Sequence, residues 1–246
     1  MFILTHVISF VSNDIVSDNR IHKIALSLID QGYILTVVGR KLRNSPLLNP
    51  RPYATVRFRL WFNKGPLFYA NLNLRIFFYL LFSGVDIILS NDLDTLPACW
   101  LAAKIRDKRI VFDSHELFPE VPELVHRPFV RSIWLMLERI FVRRIRYGIT
   151  VSSSIAGYYN RKYGKQFEVI RNMSQFRSLS DLRIISKDAS MYTILYQGAL
   201  NVGRGLELAI KSIRYVRNAK LQIIGDGDIS NELKLLAKKE GLEDKF

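Results

Sequence analysis

Short apolar runs that stop abruptly at polar residues, each followed by a helix-length stretch, recur along this chain and narrow its architecture. The clearest is Arg109 to Phe112, which stops at Asp113-Ser114-His115-Glu116, a histidine with carboxylates on both sides. A parallel strand buried on both faces reads as such a run. Open α/β sheets bind ligands just past the carboxyl ends of these strands. Asp113 to Glu116 therefore falls where a ligand is expected.

The same rhythm starts at the beginning. Phe2 to Phe10 reads as a strand and Ser12-Asn13-Asp14 as a polar turn. Ser17 or Asp18 can cap a helix to about Asp30, with Ile21, Ile24, Ala25, Leu28 and Ile29 on one face. Gly32 ends it, and Tyr33 to Val38 is a second strand, which completes a β-α-β unit. Further strands are predicted at 55–61, 86–89, 109–112, 148–151 and 167–170, and helices at 67–82, 96–105, 129–146 and 155–163. Residues 173–189 show no periodicity and read as a linker. A second series follows: strand 192–197, a glycine-containing turn 198–205, helix 206–216, strand 221–224, the turn Gly225-Asp226-Gly227 and helix 229–239. The expected domains are thus 1–172 and 190–246. Two β-α units do not cover both faces of a parallel sheet. The second series is therefore expected to be incomplete: a fragment, a truncated gene product, or a fold finished by another chain.

Charge narrows the partners. The net charge is +14, and residues 1–171 hold 24 Lys+Arg against 13 Asp+Glu, or +11. This suits anionic lipid head groups or phosphorylated substrates. Nucleic acid is not expected, because no helix-turn-helix, zinc-finger or aromatic RNA-binding signature is present. The single cysteine, Cys99, lies in an apolar stretch and reads as a small core residue; no internal disulfide is possible. No secretory signal is evident, and the run 76–90 is shorter than the ~20 residues that span a bilayer. A cytoplasmic protein is expected, peripheral at the inner face of the membrane if its basic surface meets lipid. The helix 129–146 mixes arginines with Trp134, Leu135, Leu137 and Phe141. It can lie on an anionic membrane, or simply face the core with a solvated back.

Several motifs now occur in a telling order. They are Asp18-Asn19-Arg20-Ile21, Asn91-Asp92-Leu93-Asp94-Thr95-Leu96-Pro97, Asp113-Ser114-His115-Glu116, Pro122-Glu123-Leu124-Val125 and Arg127-Pro128-Phe129. Ile149-Thr150-Val151-Ser152 and Val169-Ile170-Arg171-Asn172 follow, then Tyr196-Gln197-Gly198, Arg204-Gly205-Leu206-Glu207 and Gly225-Asp226-Gly227. In this order and spacing the chain resembles the retaining glycosyltransferases of family 4, which have the GT-B fold. The resemblance implies an α/β chain: a Rossmann-like, acceptor-side N-terminal domain with a parallel sheet, plus the first β-α units of a second, nucleotide-sugar-binding Rossmann-like domain. It implies transfer of a sugar from a UDP- or GDP-sugar to a glycan or lipid-linked acceptor of a bacterial surface polymer. Activity of this chain alone is expected to be weak or nil, because the resembled domain continues beyond Phe246.

The resemblance also implies residue roles. His115 would contact the donor sugar near the reaction centre as a positioning and electrostatic group, with Glu116 beside it. Arg204 would meet the donor diphosphate, and Gly198, Asn201, Gly203, Gly225, Asp226 and Gly227 would surround the nucleotide. The residues themselves permit this: backbone N–H groups at a helix start and a guanidinium make an anion site, and donors aimed at a leaving diphosphate lower the barrier. A solvated surface arginine, a structural histidine and an ordinary tight turn are the plain alternatives. Ser12, Asp14, Asp92 and Asp113 are expected to line the acceptor cleft. The first turn lacks the glycines of many relatives, and Ala199 stands where many carry arginine. Asp92-Leu93-Asp94 could hold a divalent cation through paired carboxylates. It falls, however, within a motif of a fold that usually needs no metal, so no metal or cofactor is expected, and Asp94 reads as a helix cap. A nucleotide-sugar 2-epimerase of the same fold and a non-catalytic paralogue acting as a binding module are the rival readings.

Overall fold

A computed structural model describes residues 5–173 and 191–242. The chain divides into two units, 1–174 and 175–246. Past Met173, the linker expected at 173–189 lies outside the described residues, as does the start of the strand expected from Phe2.

The first unit is built from β1 (His6–Phe10), α1 (Asn19–Asp30), β2 (Ile34–Arg40), β3 (Ala54–Phe58), α2 (Gly65–Phe82), β4 (Ile87–Asn91) and α3 (Leu96–Arg106). It continues with β5 (Arg109–Ser114), α4 (Pro128–Phe141), β6 (Tyr147–Thr150), α5 (Ser153–Tyr163) and β7 (Glu168–Val169). The seven strands form one sheet in the order β3-β2-β1-β4-β5-β6-β7, and every pairing is parallel. Strand alternation sorts the apolar residues onto two faces. Ile8, Phe10 and Ile88 pack with Leu72, Ile76 and Ala102 of α2 and α3. Val7, Leu35, Val37 and Leu89 pack with Ile21 and Ala25 of α1 on the other face.

Local chemistry sets the helix ends. The Asp18 carboxylate accepts from the Ile21 N–H at 3.1 Å and caps α1. Ser152 caps α5 through the Ile155 N–H at 3.4 Å, and Gly164, at φ 64°, closes it in the left-handed region that glycine favours. The helix predicted over 129–146 is shorter. α4 stops at Phe141, and a 3₁₀ turn, Val142–Arg144, follows. Val142 and Ile145 are both buried, and a turn of three residues brings this pair to one side. Buried Glu138 ties α4 to α5: its Oε1 accepts from Lys162 at 2.9 Å and from the hydroxyls of Tyr158 and Tyr163 at 3.1 and 2.6 Å.

The second unit contains β8 (Tyr192–Gln197), α6 (Leu206–Ser212), β9 (Ala219–Ile224) and α7 (Ser230–Lys239). Its two strands pair in parallel. Leu206, Ile210, Leu221 and Leu233 form its core.

One glycine positions the first loop of the sheet. Gly39 lies where a Cβ would stand 2.6 Å from Ile15 Cγ2 and 2.7 Å from the Asn13 carbonyl oxygen. The same loop is fastened to β2 by the Arg40 N–H, which donates to that carbonyl at 3.0 Å. Gly39→Ala is therefore expected to destabilise the chain by about 1–3 kcal/mol through overpacking. Urea unfolding measures this, and an unchanged midpoint would show that the loop yields freely.

Candidate functional site

The strand order reverses between β1 and β4, because β1-β2-β3 runs outward one way and β4-β5-β6-β7 the other. The loops after β1 and β4 diverge there and leave a crevice at the carboxyl ends of the strands. Asn91 to Thr95 and Asp113 to Glu116 meet at this crevice. Asn91 and Asp113 stand level with each other on neighbouring strands.

Asp113 and Ser114 belong to β5 itself, not to a loop beyond it, which corrects the sequence expectation. Alternation therefore sends them to opposite faces. Ser114 turns away from the crevice, and its hydroxyl sits 2.8 Å from that of buried Tyr159. Asp113 is buried, with Oδ2 3.1 Å from His115 Nε2, an ion-pair distance. His115 Nε2 also lies 3.4 Å from Asn91 Oδ1. The Asn91 amide donates to Ser9 Oγ at 2.9 Å and to the Phe10 carbonyl at 2.8 Å, so its Oδ1 is an acceptor. Nε2 thus faces Asp113 and Asn91, while Asp113 Oδ2 and His115 Nδ1 are both buried without a hydrogen bond among the described residues.

Asp92 holds the histidine from the other side. It adopts the left-handed conformation at φ 61°, which aspartate tolerates better than most residues. Its N–H donates to the Asp113 carbonyl at 2.8 Å, and its Oδ1 accepts from the His115 N–H at 3.0 Å. Oδ2 lies 3.6 Å from Arg20 in the first turn of α1. Burial raises the Asp92 pKa, and the charges of His115 and Arg20 oppose that rise. Glu116 is exposed as a residue, yet the protein around its carboxyl, and then the charges of Asp92 and Glu123, push its pKa upward.

Asp94 is not the cap of α3. The N-cap is Thr95, whose hydroxyl turns back to the Asn91 carbonyl at 2.8 Å. Asp94 is buried, with one oxygen unpartnered, and burial followed by the Asp92 charge pushes its carboxyl up to about 7. The Ser12 hydroxyl bonds to it and opposes the rise. Asp14 is committed elsewhere. Its carboxylate takes both contacts from Arg57 Nη2, at 2.9 and 2.7 Å, and a hydrogen bond from Ser45. Burial works against ionisation, but these donors outweigh it and hold the Asp14 pKa down. Among the described residues no group of three or more His, Cys, Asp or Glu could hold a metal ion.

Beside His115 and Asp113 lies a cavity of about 470 Å³ walled by Leu28, Leu89, Val111 and Ile149, with Arg20 at its lining. Arg20 and Asn91 are the site residues whose positions the sequence reading did not assign. A polar residue ending a strand level with Asp113 was the available signal for Asn91.

In the second unit the turns after β8 and β9 interlock. The Gly198 N–H donates to the Ile224 carbonyl and the Leu200 N–H to the Asp226 carbonyl, both at 3.0 Å. A Cβ on Gly225 would stand 1.8 Å from the Gly198 oxygen, and one on Gly227 would stand 2.4 Å from the Leu200 oxygen and 2.6 Å from Asn201 Oδ1. These glycines are required for the backbones to approach. Asp226 Oδ1 accepts from the Gly227 N–H at 2.8 Å and from Ser230 Oγ at 3.1 Å, so it braces the start of α7. Gly203 and Gly205 have φ 85° and 72°, and exposed Arg204 stands between them, directly before the first turn of α6. The sequence-proposed residues thus form two sets, one per unit.

The Asp94 environment has a measurable consequence. With a folded pKa near 7 against an ordinary 3.8, the folded chain holds a proton that the unfolded chain releases between those values. Wild-type stability should therefore fall as pH rises through this window and stay lowered above it. Asp94→Asn does not titrate, so its stability relative to wild type should rise from about pH 4 to about pH 7 and be level outside. Urea unfolding of both proteins across this range measures it, and parallel pH profiles would contradict the assignment.

Comparison with known proteins adds to this geometry. A search of curated proteins finds no match in sequence. Among solved structures, sucrose-phosphate synthase from Thermosynechococcus elongatus superposes with a TM-score of 0.73 at 18% identity, covering 98% of this chain and 69% of that one. HepE from Anabaena, in complex with UDP and glucose, gives 0.67 at 15% identity, covering 98% and 68%. A putative UDP-N-acetylglucosamine 2-epimerase from Listeria monocytogenes gives 0.60 at 11% identity, covering 99% and 68%. At these identities the likeness establishes the fold, which is GT-B. The family model described as Glycosyltransferase Family 4 matches residues 18–173, a span that contains α1, β4, β5 and the residues Asn91, Asp92, Asp113 and His115. A chain with this topology and this match, its polar residues gathered where the strand order reverses, belongs to glycosyltransferase family 4.

Proposed function

We propose that this chain serves a retaining hexosyl transfer from a UDP- or GDP-sugar to a glycan or lipid-linked acceptor in the assembly of a bacterial surface polysaccharide, with weak or no turnover by the chain on its own. The observation that carries this reading is His115, fixed at the strand-order reversal by Asp92, Asp113 and Asn91. A group held from several sides is pre-organised, so it contributes to transition-state stabilisation without reorganising at the moment of reaction.

The residues divide the work as follows. His115 positions the donor sugar and supplies an oriented dipole. Asp113 is buried and turned to His115, which suits orientation of the ring better than nucleophilic attack. Glu116, exposed and with a raised pKa, can exchange a proton with an acceptor hydroxyl. Arg204 and the N–H groups around Gly203 and Gly205 meet the diphosphate as it leaves. Gly225, Gly227 and Asp226 keep the turn beside the nucleotide in shape. Ser12 and Asp14 shape the acceptor side from within, through Asp94 and Arg57. The peripheral membrane location and the lipid-linked form of the acceptor rest on the basic surface of the first unit.

Calorimetric titration with UDP, GDP and their sugars tests the reading. One nucleotide should bind, and Arg204→Ala should weaken it about 10–100-fold, the worth of a charge-assisted hydrogen bond. Absence of binding by any nucleotide would sink the proposal. Incubation of a bound sugar nucleotide with and without acceptor separates transfer from epimerisation: an altered sugar nucleotide formed without acceptor would favour the epimerase reading.

A further inference from the structure

We infer that the outer edge of the first sheet carries a second binding site, a basic hollow along β3 that takes an acidic glycan. Its use as a hold on the far part of an acceptor rests on the transfer reading above; the glycan site itself does not.

The sequence prepares the charge. From Lys41 to Arg59 there is no Asp or Glu, whereas Lys41, Arg43, Arg51, Arg57 and Arg59 are cationic. β3 ends its side of the sheet and pairs only with β2. The pleat sends Val56 and Phe58 into the core beside α2, and Thr55 and Arg57 to the other face. There a hollow of about 680 Å³ is lined by Lys41, Arg51, Tyr53, Thr55, Arg57 and Arg59, and by no carboxylate among the described residues.

The walls are fixed by the fold. Arg57 Nη1 donates to the Pro46 carbonyl at 3.2 Å and Nη2 to Asp14, so this side chain ties the loop to the strand. The Leu42 N–H donates to Ser45 Oγ at 2.7 Å, and Pro46, Pro50 and Pro52 restrict the loop backbone. His22 Nδ1 lies 2.8 Å from the Tyr53 hydroxyl and holds that ring toward α1. Asp14 is taken up by Arg57 and Asp18 caps α1. Among the described residues Lys41, Arg51 and Arg59 form no ion pair. Cations held in place in this way bind an anion at a low ordering cost.

Shape and chemistry select the occupant. Guanidinium groups meet carboxylates through paired N–H donors, and Asn49 and Thr55 on the same lining suit hydroxyls. Single-stranded nucleic acid needs free aromatic faces for its bases. Tyr53 is the one ring on the lining, and His22 engages it. The position also fits a glycan. Just past both strands, the Lys41 N–H donates to the Phe58 carbonyl at 2.7 Å, so Lys41 and Arg59 stand at the carboxyl end of the sheet, as the crevice does. Four strand spacings separate β3 from β5, roughly 19 Å at ~4.8 Å each. An extended acidic glycan can occupy the hollow with inner sugars while its end reaches His115.

The test is calorimetric titration of the full chain with polygalacturonate, with neutral dextran of similar length, and with duplex DNA. Polygalacturonate should bind, several-fold more weakly at high salt, and dextran should not. Lys41→Ala with Arg59→Ala should weaken binding about ten-fold. Arg139→Ala with Arg143→Ala removes the same charge from exposed positions at the end of α4 and should change it less than about two-fold. Arg57 is left in place because it holds Asp14. None of the four substituted residues forms an ion pair among the described residues, so the melting temperature should stay near wild type. No binding of polygalacturonate, equal binding of dextran, or equal loss in the two variant pairs overturns the proposal. Tighter binding of DNA that the Lys41 and Arg59 pair abolishes overturns it in favour of nucleic acid. A chain that binds nucleotide but no polygalacturonate defeats this proposal alone. One that binds polygalacturonate but no nucleotide defeats the transfer reading and leaves the glycan site standing.

Discussion

The backbone turn at Asp92 is the constraint on which the site depends. A non-glycine residue in the left-handed region costs on the order of 1–3 kcal/mol. Here the cost is met locally: the N–H of Asp92 bonds the end of β5, its carboxylate receives the N–H of His115, and Arg20 faces its second oxygen. One residue thereby ties the ends of two central strands to the first helix. The turn also carries the chain out of β4 toward α3 at the place where the strand order reverses.

The acidic groups around this turn explain one another's ionisation. Asp92, Asp94 and Glu116 are crowded at the carboxyl ends of the strands, and all three have raised pKa values, with burial first among the causes. Asp14, a short way along the first loop, has the opposite shift because Arg57 and Ser45 satisfy it. The same residue type thus serves two ends, set by what donates to it. Asp14 fastens the first loop to β3, whereas Asp94 is a carboxyl whose proton is easily kept.

The first unit separates its tasks in space. The carboxyl ends of the strands gather the polar residues, while α2, α3 and α4 expose apolar side chains such as Phe78, Phe82, Ile105 and Phe129. Both follow from the parallel sheet. Strand ends converge at a switch point, and crossover helices on one side must lie next to each other. In the second unit the glycine-containing turns play a humbler part than a bare motif suggests. Gly225 and Gly227 are needed first so that two turns can pass within contact of each other.

The alternation of strands and helices was readable because it depends on local periodicity. Apolar runs, the Asp18 and Ser152 caps and the glycines after helices all act within a few residues. The family resemblance was readable for a similar reason, since it rests on short motifs in a fixed order. Errors arose where a decision depended on residues distant in sequence. Asp94 resembles a helix cap in its local context, but packing buries it and leaves Thr95 to begin α3. The stretch 129–146 has a continuous helical pattern, yet the need to bury both Val142 and Ile145 tightens its end. Ser114 and Asp113 are neighbours in sequence and parted by the pleat. The sequence by itself determined that this chain forms parallel β-α units and carries a histidine among carboxylates at a strand end. Only the tertiary structure decided which partners that histidine has, which carboxylates are buried, and that Glu138 of α4 is enclosed by Lys162, Tyr158 and Tyr163. Those outcomes depend on strand order and burial, which join residues that no local pattern relates.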